Sequence, residues 1–357
     1  MLLTSLRAAA VVFGAVAFGA AASGVASAED LALAQGVAVR DGARDVQLEA
    51  KPGPYTLGLS NISVANTWRV QMIDEAKFEA SRLSAVKELI VTDAGGNVNK
   101  QVADIEDLIA RGVDALLVAA GSETALNPVL DKAAAKGIPV VVFSSDVTSD
   151  KYSVRILSDE VYFGAVGGEF LVKALNGKGK IIGLRGIAGI AADQERWDGA
   201  MSALGKAPGI EVIDVVQADW AYDKAKQACE NLVIAHPEID GVWSSGGAMT
   251  QACAEVFRDA GRKLVPMTGE ANNGFLRIWR EYELPSVAPL YPTWIGAEAV
   301  KAAVMLLAGK PMKSDYMMRP KPIEEAEIDA YYVPALNDSY WVGSILPMDV
   351  LAKTYAK

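Results

Sequence analysis

The feature that most constrains the fold of this chain is a regular alternation of two kinds of segment. From Tyr55 onward, short apolar runs typical of buried strands alternate with stretches in which apolar residues recur at helical spacing. Such alternation predicts mostly parallel strands joined by crossover helices that cover both faces of a sheet. The sequence therefore predicts an α/β fold.

The predicted elements fall into two similar series separated by a strand over residues 153–157 and a helix over 161–175. The first series has strands over 55–61, 88–92, 115–119 and 139–143, and helices over 68–83, 99–111 and 126–136. The second series has strands over 180–184, 211–217, 241–244 and 263–268, and helices over 193–204, 222–235 and 249–260. This repeated order predicts two similar open parallel-sheet lobes.

The residues after the second series must complete both lobes. They predict a strand over 286–290, a helix over 293–307 and an extended segment over 329–333. The chain is therefore expected to pass between the lobes more than once, which makes a hinge rather than a simple linker.

The N-terminus reads as an export signal. Arg7 supplies a positive charge, residues 8–22 are apolar, and Ala26-Ser27-Ala28 forms an A-x-A cleavage site. The apolar run is shorter than the roughly 20 residues of a membrane-spanning helix, although an N-terminal anchor helix is the alternative. We expect a signal peptide over residues 1–28 and a mature periplasmic chain from Glu29, with residues 29–54 as a linker or irregular arm.

Charge and composition exclude several classes of partner. The formal net charge is −10 and apolar residues make up 51% of the chain, enough for two cores. An acidic chain without clusters of Lys and Arg argues against nucleic acid or an anionic membrane as the partner.

The two cysteines, Cys229 and Cys253, lie on predicted helices separated by one strand. Consecutive right-handed crossovers running in one direction place their helices on the same face of a sheet. The pair therefore either forms a disulfide, which persists outside the cytoplasm, or remains as two buried thiols. Their spacing fits neither C-x-x-C redox chemistry nor a zinc cluster.

Polar and aromatic residues collect at the predicted carboxyl ends of the strands. In open parallel sheets ligands bind outside these ends, and two facing lobes create a cleft between them. The first lobe contributes Asn66, Trp68 and Arg69, whereas the second contributes Arg196 and Trp220 among others. Aromatic faces cover C–H surface, while amide, guanidinium and carboxylate groups bind hydroxyls, so these residues suit a polyhydroxylated ligand.

Signatures of catalysis are weak. The chain contains no G-x-S-x-G, G-x-x-x-x-G-K-[ST] or H-E-x-x-H motif. Gly183, Gly186 and Gly189 follow a strand, but their spacing is G-x-x-G-x-x-G rather than that of a dinucleotide loop. The lone histidine, His236, lies at the wrong end of its strand for a Ser-His-Asp triad. We therefore expect no catalytic residue, no cofactor and no metal site.

Several stretches in a fixed order carry a family resemblance. They are residues 107–118, 133–143, 156–164, 184–189 and 195–199. Over about residues 55–333 the chain resembles the sugar-binding periplasmic proteins of ABC transporters, of the ribose- and galactose-binding type. The resemblance implies a type I periplasmic binding protein fold with three hinge crossings, near Leu157, Leu290 and Ala330.

The resemblance also implies a division of the chain and a set of site residues. The N-terminal lobe would comprise 55–157 plus 291–330, and the C-terminal lobe 158–290 plus 331–357. Ser144 stands where ribose binders have Asp, Leu290 stands where a Gln reaches the sugar, and Arg69 replaces an aromatic residue. The predicted ligand-binding residues are Asn66, Trp68, Arg69, Ser144, Asp146, Arg196, Trp220, Glu270, Asn272 and Leu290.

The expected function is capture of a small carbohydrate-like ligand, a sugar, polyol or sugar derivative, by hinge closure. Arg69, which replaces an aromatic residue, also leaves a ligand with an acidic group open. The expected protein is a monomer and not an enzyme, and its partner is an inner-membrane ABC permease. Two alternatives remain open. One is a sensory receptor that docks to a chemoreceptor or kinase, and the other is an exported α/β hydrolase that would use His236.

Overall fold

The computed structural model describes residues 31–357, so the predicted export signal over residues 1–28 lies outside the described residues. The strands are β1 (Val37–Val39), β2 (Asp45–Val46), β3 (Tyr55–Asn61), β4 (Val86–Asp93), β5 (Ala115–Ala119), β6 (Val140–Phe143), β7 (Val154–Ser158), β8 (Lys178–Arg185), β9 (Gly209–Gln217), β10 (Gly241–Ser244), β11 (Met267–Thr268), β12 (Ser286–Leu290), β13 (Met312–Lys313), β14 (Asp315–Met318) and β15 (Lys321–Ile323). The helices are α1 (Thr67–Arg82), α2 (Val98–Ala110), α3 (Asn127–Ala135), α4 (Glu160–Ala174), α5 (Ala191–Leu204), α6 (Tyr222–Ala235), α7 (Gly247–Asp259), α8 (Asn273–Glu281), α9 (Ile295–Leu307), α10 (Ile328–Tyr331) and α11 (Met348–Tyr355).

Two separate sheets confirm the predicted α/β class with two open, mostly parallel lobes. The sheet of the N-terminal lobe has the order β1-β14-β7-β6-β5-β3-β4, and all neighbours are parallel except β1 with β14. The sheet of the C-terminal lobe has the order β15-β12-β11-β10-β8-β9, and all neighbours are parallel except β15 with β12. Parallel strands covered on both faces explain why β5 and β6 are buried at every residue.

The chain passes between the two sheets at three points. It leaves β7 at Ser158 for α4, which packs on α5, and leaves β12 at Leu290 for α9, which packs on α1. The third passage lies between Met318 at the end of β14 and Lys321 at the start of β15. The expectation of a third crossing near Ala330 is therefore wrong. The predicted extended segment over residues 329–333 is also wrong, since α10 occupies Ile328–Tyr331.

Each lobe has its own core, and a small apolar cluster joins them. Leu57, Leu117 and Phe143 are buried in the N-terminal lobe, whereas Val242 and Phe257 are buried in the C-terminal lobe. The joining cluster contains Ile62 and Ala94 from the N-terminal lobe and Ile190 and Ala192 from the C-terminal lobe. Because these four residues are at most 7% exposed, the structure represents a closed arrangement of the lobes.

The N-terminal arm belongs to the N-terminal lobe. Strand β1 pairs with β14 at the edge of the sheet, and β2 pairs with β13. The backbone N–H of Ala34 donates to Glu298 Oε2 of α9 at 2.8 Å, and the N–H of Lys51 donates to the carbonyl of Leu307. The arm therefore covers the outer edge of β14, which would otherwise expose unpaired backbone groups.

A disulfide joins two helices on one face of the second sheet. Cys229 of α6 and Cys253 of α7 are bonded, with their Cα atoms 5.4 Å apart. Both residues are buried in the core of the C-terminal lobe. The alternative of two free thiols does not hold in this structure.

Candidate functional site

A cavity lies between the lobes at the carboxyl ends of the strands. Both lobes and the segments joining them contribute side chains. The lining residues are Asn66, Trp68, Arg69, Ser144, Ala192, Arg196, Trp220, Glu270, Tyr291 and Trp341.

The first turn of α1 supplies the N-terminal side of the cavity. Asn66 is the N-cap of this helix, and its side-chain oxygen accepts the backbone N–H of Arg69 at 2.9 Å. The Arg69 guanidinium is buried and donates from Nη1 to Oδ1 of Asn61 at 3.0 Å. Asn61 in turn donates its amide to Asp93. Burial lowers the pKa of Arg69 to about 10, although Tyr291 and Asp93 oppose this shift.

Trp68 and Tyr291 form a stacked aromatic wall. Their ring centroids are 4.7 Å apart and their planes differ by 1°. The indole N–H of Trp68 donates to the carbonyl of Tyr291 at 3.0 Å, and the Tyr291 hydroxyl donates to the carbonyl of Ser144 at 3.1 Å. Tyr291 follows β12 directly, so the second passage between the lobes forms part of the cavity. Burial raises the pKa of the Tyr291 hydroxyl well above its usual range.

Arg196 of α5 organises the C-terminal side. Its Nε donates to Glu160 Oε2 at 2.6 Å, while Nη1 donates to the carbonyl of Ser245 at 2.7 Å. A longer contact of 3.4 Å joins Nη1 to Glu270 Oε2. The guanidinium also lies over the Phe163 ring, 3.7 Å from its centroid. These contacts hold the Arg196 side chain in one orientation.

Two buried carboxyl groups lie beside the guanidinium group of Arg196. Burial raises the pKa of Glu270 to about 7, although Arg196 opposes this shift. Burial likewise raises the pKa of Glu160. Burial disfavours the charged form of Arg196, but the attraction of both carboxylates outweighs it and holds its pKa above the usual range.

Trp220 reaches the cavity from the end of β9 through an unusual backbone conformation. Both Asp219 and Trp220 have φ of 54°, a left-handed conformation that directs the ring back over the sheet. A Cβ at Gly186 would lie 2.1 Å from the Cε2 atom of Trp220, so only glycine leaves room for the ring. Gly186, the middle glycine of the G-x-x-G-x-x-G pattern, therefore makes space for the side chain of Trp220.

The three tryptophans of the cavity use their N–H groups on the protein. Trp68 donates to Tyr291, Trp220 donates to Ser245 Oγ at 3.0 Å, and Trp341 donates to Thr67 Oγ1 at 2.8 Å. What these rings offer a ligand is therefore their carbon surface, which suits C–H groups. Hydrogen bonds to a ligand would come from the polar lining residues.

Three of the residues predicted to bind ligand do not line this cavity. Asp146 accepts two hydrogen bonds from Arg155 Nη1, at 2.8 and 2.9 Å. Asn272 is the N-cap of α8, with its side-chain oxygen accepting the backbone N–H of Phe275. Leu290 packs against the core of the C-terminal lobe. All three were predicted from their positions at strand ends, but their side chains contact other parts of the protein.

Ala192, Tyr291 and Trp341 line the cavity and were not predicted. Tyr291 directly follows Leu290, so the predicted ligand-binding position at the end of this strand was one residue too early. Ala192 is the second residue of α5 and directly precedes the helix predicted over 193–204. Trp341 comes from a C-terminal segment whose sequence has no strand or helix periodicity, and nothing in that pattern indicated its place.

The structure separates His236 from the cavity. Its Nε2 atom lies 2.9 Å from Asp214 Oδ2, at the end of α6, and neither residue is among those lining the cavity. Within residues 31–357, no three His, Cys, Asp or Glu side chains come together as a group that could hold a metal ion. No helix in the same range is long and apolar enough to cross a membrane.

Two lobes that enclose a cavity lined by aromatic and charged residues at their strand ends define a solute-binding protein of the type I periplasmic fold. The profile of the periplasmic binding protein domain family matches residues 57–311. The chain belongs to this family, whose members are binding proteins.

Known proteins of similar sequence and structure share the resemblance. The ribose import binding protein RbsB of Bacillus subtilis is 28% identical over 256 residues, which is 72% of this chain and 83% of that protein. The ABC transporter solute binding protein from Thermobispora bispora has a TM-score of 0.76 at 25% identity, covering 84% of this chain and 94% of that one. The fructose binding periplasmic domain of a hybrid two component system has a TM-score of 0.72 at 28% identity, covering 77% and 92%.

Proposed function

We propose that this protein is a periplasmic receptor that captures a small sugar, polyol or sugar derivative by hinge closure and delivers it to an inner-membrane ABC permease. The observation that carries the proposal is the cavity enclosed between the lobes. Its carbon-faced tryptophans cover C–H surface, and its amide, guanidinium and carboxyl groups bind hydroxyls. The protein acts as a monomer, binds without chemical conversion and reaches the periplasm through the signal over residues 1–28.

The charges around the cavity favour a neutral polyhydroxylated ligand over an ionic one. Arg196 is paired with Glu160 and Glu270, and the charge of Asp93 acts on Arg69, so a ligand with a net charge would meet guanidinium groups that already have acidic neighbours. Hydroxyl groups, in contrast, donate to Glu270 and accept from Arg69 without adding a charge to the buried site. The similarity to a ribose import protein and to a fructose-binding domain supports the class of ligand and leaves the individual sugar open.

Closure supplies the mechanism. The N-terminal lobe offers Asn66, Trp68 and Arg69 to an entering ligand, and the C-terminal lobe adds Arg196 and Glu270 when the lobes meet. Because the second set of contacts forms with closure, the ligand binds the closed form more tightly and shifts the population toward it. The permease then recognises the closed, ligand-bound form.

A thermal-shift screen of residues 29–357 tests the proposal. The panel contains D-ribose, D-fructose, xylitol, myo-inositol, sugar acids and amino acids. A ligand at about 1,000 times its Kd adds roughly 4 kcal/mol and raises the melting temperature by several degrees. A response confined to neutral sugars or polyols supports the proposal, and a flat response of ligand-free protein refutes it.

Arg69→Met is the matching binding variant. It removes a buried guanidinium that faces the cavity and whose hydrogen bond goes to the neutral side chain of Asn61 rather than directly to a carboxylate. We expect the variant to fold and to lose at least tenfold in affinity by titration calorimetry. The control is Arg111→Met, which removes an exposed guanidinium paired with Asp107 after α2. Equal affinity in the two variants would contradict the placement of the ligand beside Arg69.

A sensory receptor is the second candidate, and the similarity to a domain of a two component system favours it specifically. Deletion of the gene separates the two functions. Loss of uptake of the radiolabelled panel ligand indicates transport, whereas normal uptake with loss of the transcriptional response to that ligand indicates sensing.

A hydrolase is tested by His236→Ala. This substitution would remove any hydrolytic activity while leaving ligand affinity unchanged.

A further inference from the structure

A C-terminal strap, residues 337–346, runs across both lobes beside the hinge. Tyr340 and Val342 pack in the core of the C-terminal lobe, whereas Trp341 between them packs in the core of the N-terminal lobe. The strap follows the third passage between the sheets and lies beyond residues 57–311, where the family profile matches. It therefore forms a connection between the lobes in addition to the three covalent passages.

The backbone of the strap is bonded to the N-terminal lobe through one side chain. The N–H of Trp341 donates to Gln71 Oε1 at 2.9 Å, and Gln71 Nε2 donates back to the carbonyl of Trp341 at 2.8 Å. The indole N–H of Trp341 donates to Thr67 Oγ1 on the same helix. Together these bonds fix both the main chain and the ring of Trp341 against α1.

The strap is also bonded to the C-terminal lobe, through the start of α8. The N–H of Asn273 donates to the carbonyl of Tyr340 at 2.8 Å, and the N–H of Val342 donates to the carbonyl of Ala271 at 3.2 Å. The residues on either side of Trp341 thus move with one lobe while Trp341 itself is held by the other. A change in the angle between the lobes must alter this arrangement.

A buried carboxyl group links the strap to the hinge. Glu75 Oε1 accepts hydrogen bonds from Thr293 Oγ1 at 2.6 Å and from Ser344 Oγ at 2.7 Å. Thr293 lies in the second passage, and Ser344 lies in the strap. Gln71 Nε2 donates to the same oxygen at 3.2 Å. Hydrogen bonds to Glu75 Oε1 therefore connect helix α1, the hinge and the strap.

Trp341 also lines the cavity, so the strap is joined to the ligand site as well as to the hinge. We propose that Trp341 is a specificity-determining wall of the ligand site and that residues 337–346 form a non-covalent strap whose position the bound ligand fixes. The first part rests on the proposed function, since it requires a ligand in the cavity. Because Thr67 takes the indole N–H, Trp341 presents carbon surface and selects ligands with a C–H face at that side.

Binding by two matched variants tests the ligand wall. Trp341→Phe shortens the ring at the cavity, whereas Trp279→Phe makes the same change in the core of the C-terminal lobe, away from the cavity. With the panel member that gives the largest thermal shift, we expect Trp341→Phe to raise Kd at least fivefold and Trp279→Phe to keep Kd within twofold. Unchanged affinity in Trp341→Phe, or equal losses in both variants, overturns the assignment.

Hydrogen exchange of the ligand-free protein tests the strap by itself. Gln71→Ala removes both bonds to the Trp341 backbone, so amides over 337–346 should exchange at least tenfold faster while those of α6 keep their rates. Unchanged exchange in the strap overturns its role as a connection. If the wild-type protein binds no member of the panel, the proposed function fails, and the exchange result still decides the strap.

Discussion

Replacing Glu75 with Gln should make the stability of this protein less sensitive to pH. Glu75 is fully buried in α1, and its Oε1 accepts three side-chain hydrogen bonds. Burial raises the pKa of Glu75 to about 7, and the hydrogen bonds from Thr293, Ser344 and Gln71 oppose that shift. The folded protein therefore holds a proton that the unfolded chain releases near pH 4.5.

The sign and size of the effect follow from proton binding. Between about pH 4.5 and pH 7 the folded state binds more protons at Glu75 than the unfolded state, so the free energy of unfolding falls as pH rises. A shift from 4.5 to about 7 corresponds to roughly 3 kcal/mol when fully developed, of which about 2 to 3 kcal/mol lies between pH 5 and pH 8. Gln keeps the acceptor oxygen but cannot ionise.

Urea unfolding at pH 5, 6, 7 and 8 measures the prediction. The stability of Glu75→Gln relative to wild type should increase by about 2 to 3 kcal/mol from pH 5 to pH 8, whatever constant difference the substitution adds. Glu79→Gln, one turn along the same helix and next to Arg82, is the control and should lack this increase. A pH-independent difference for Glu75→Gln would refute the reasoning.

Two further substitutions probe the cavity and the disulfide. Gly186→Ala places a methyl group 2.1 Å from Trp220 Cε2, so the Trp220 ring must move. Titration calorimetry should then show at least a tenfold loss of ligand affinity. The control is Gly53→Ala, where the nearest atom lies 3.5 Å away, and it should bind ligand as wild type does. Replacing Cys229 and Cys253 together with Ser opens a loop with a sequence separation of 24 and should lower the free energy of unfolding by about 3 kcal/mol without changing Kd. Unfolding curves that match wild type would contradict the second expectation.

The strands were predictable because burial on both faces leaves a clear apolar run. Tyr55–Asn61, Ala115–Ala119 and Gly241–Ser244 appear in the structure with the predicted bounds. The strand expected over 263–268 shrinks to Met267–Thr268, since its first residues are more exposed and pair with no neighbour. Helix α8 was not predicted at all, although its apolar residues lie on one face.

The chain path near the C-terminus was not predictable in the same way. Strands β14 and β15 are short, and only two residues separate them as the chain passes from one sheet to the other. Their pairing with β7 and β12 is set by tertiary contacts rather than by a local pattern. The third passage was therefore expected near Ala330.

The candidate site shows the same division between position and direction. A residue that follows a strand in an open sheet lies near the cleft, and Arg69, Arg196 and Glu270, which were predicted on this ground, do line the cavity. The direction of its side chain depends on partners elsewhere in the chain. Asn272 is a helix cap and Asp146 forms an ion pair with Arg155. The spacing of residues in the sequence predicts neither contact.

The central claim is that a neutral polyhydroxylated ligand occupies the cavity between the lobes. A crystal structure of residues 29–357 grown with the panel member that gives the largest thermal shift tests it most directly. We expect one ligand molecule enclosed between the lobes, with hydroxyls bonded to Arg69 and Glu270 and its C–H surface against Trp68 and Trp341. A ligand bound outside this cavity, or a cavity without ligand at saturating concentration, would show that the ligand site lies elsewhere.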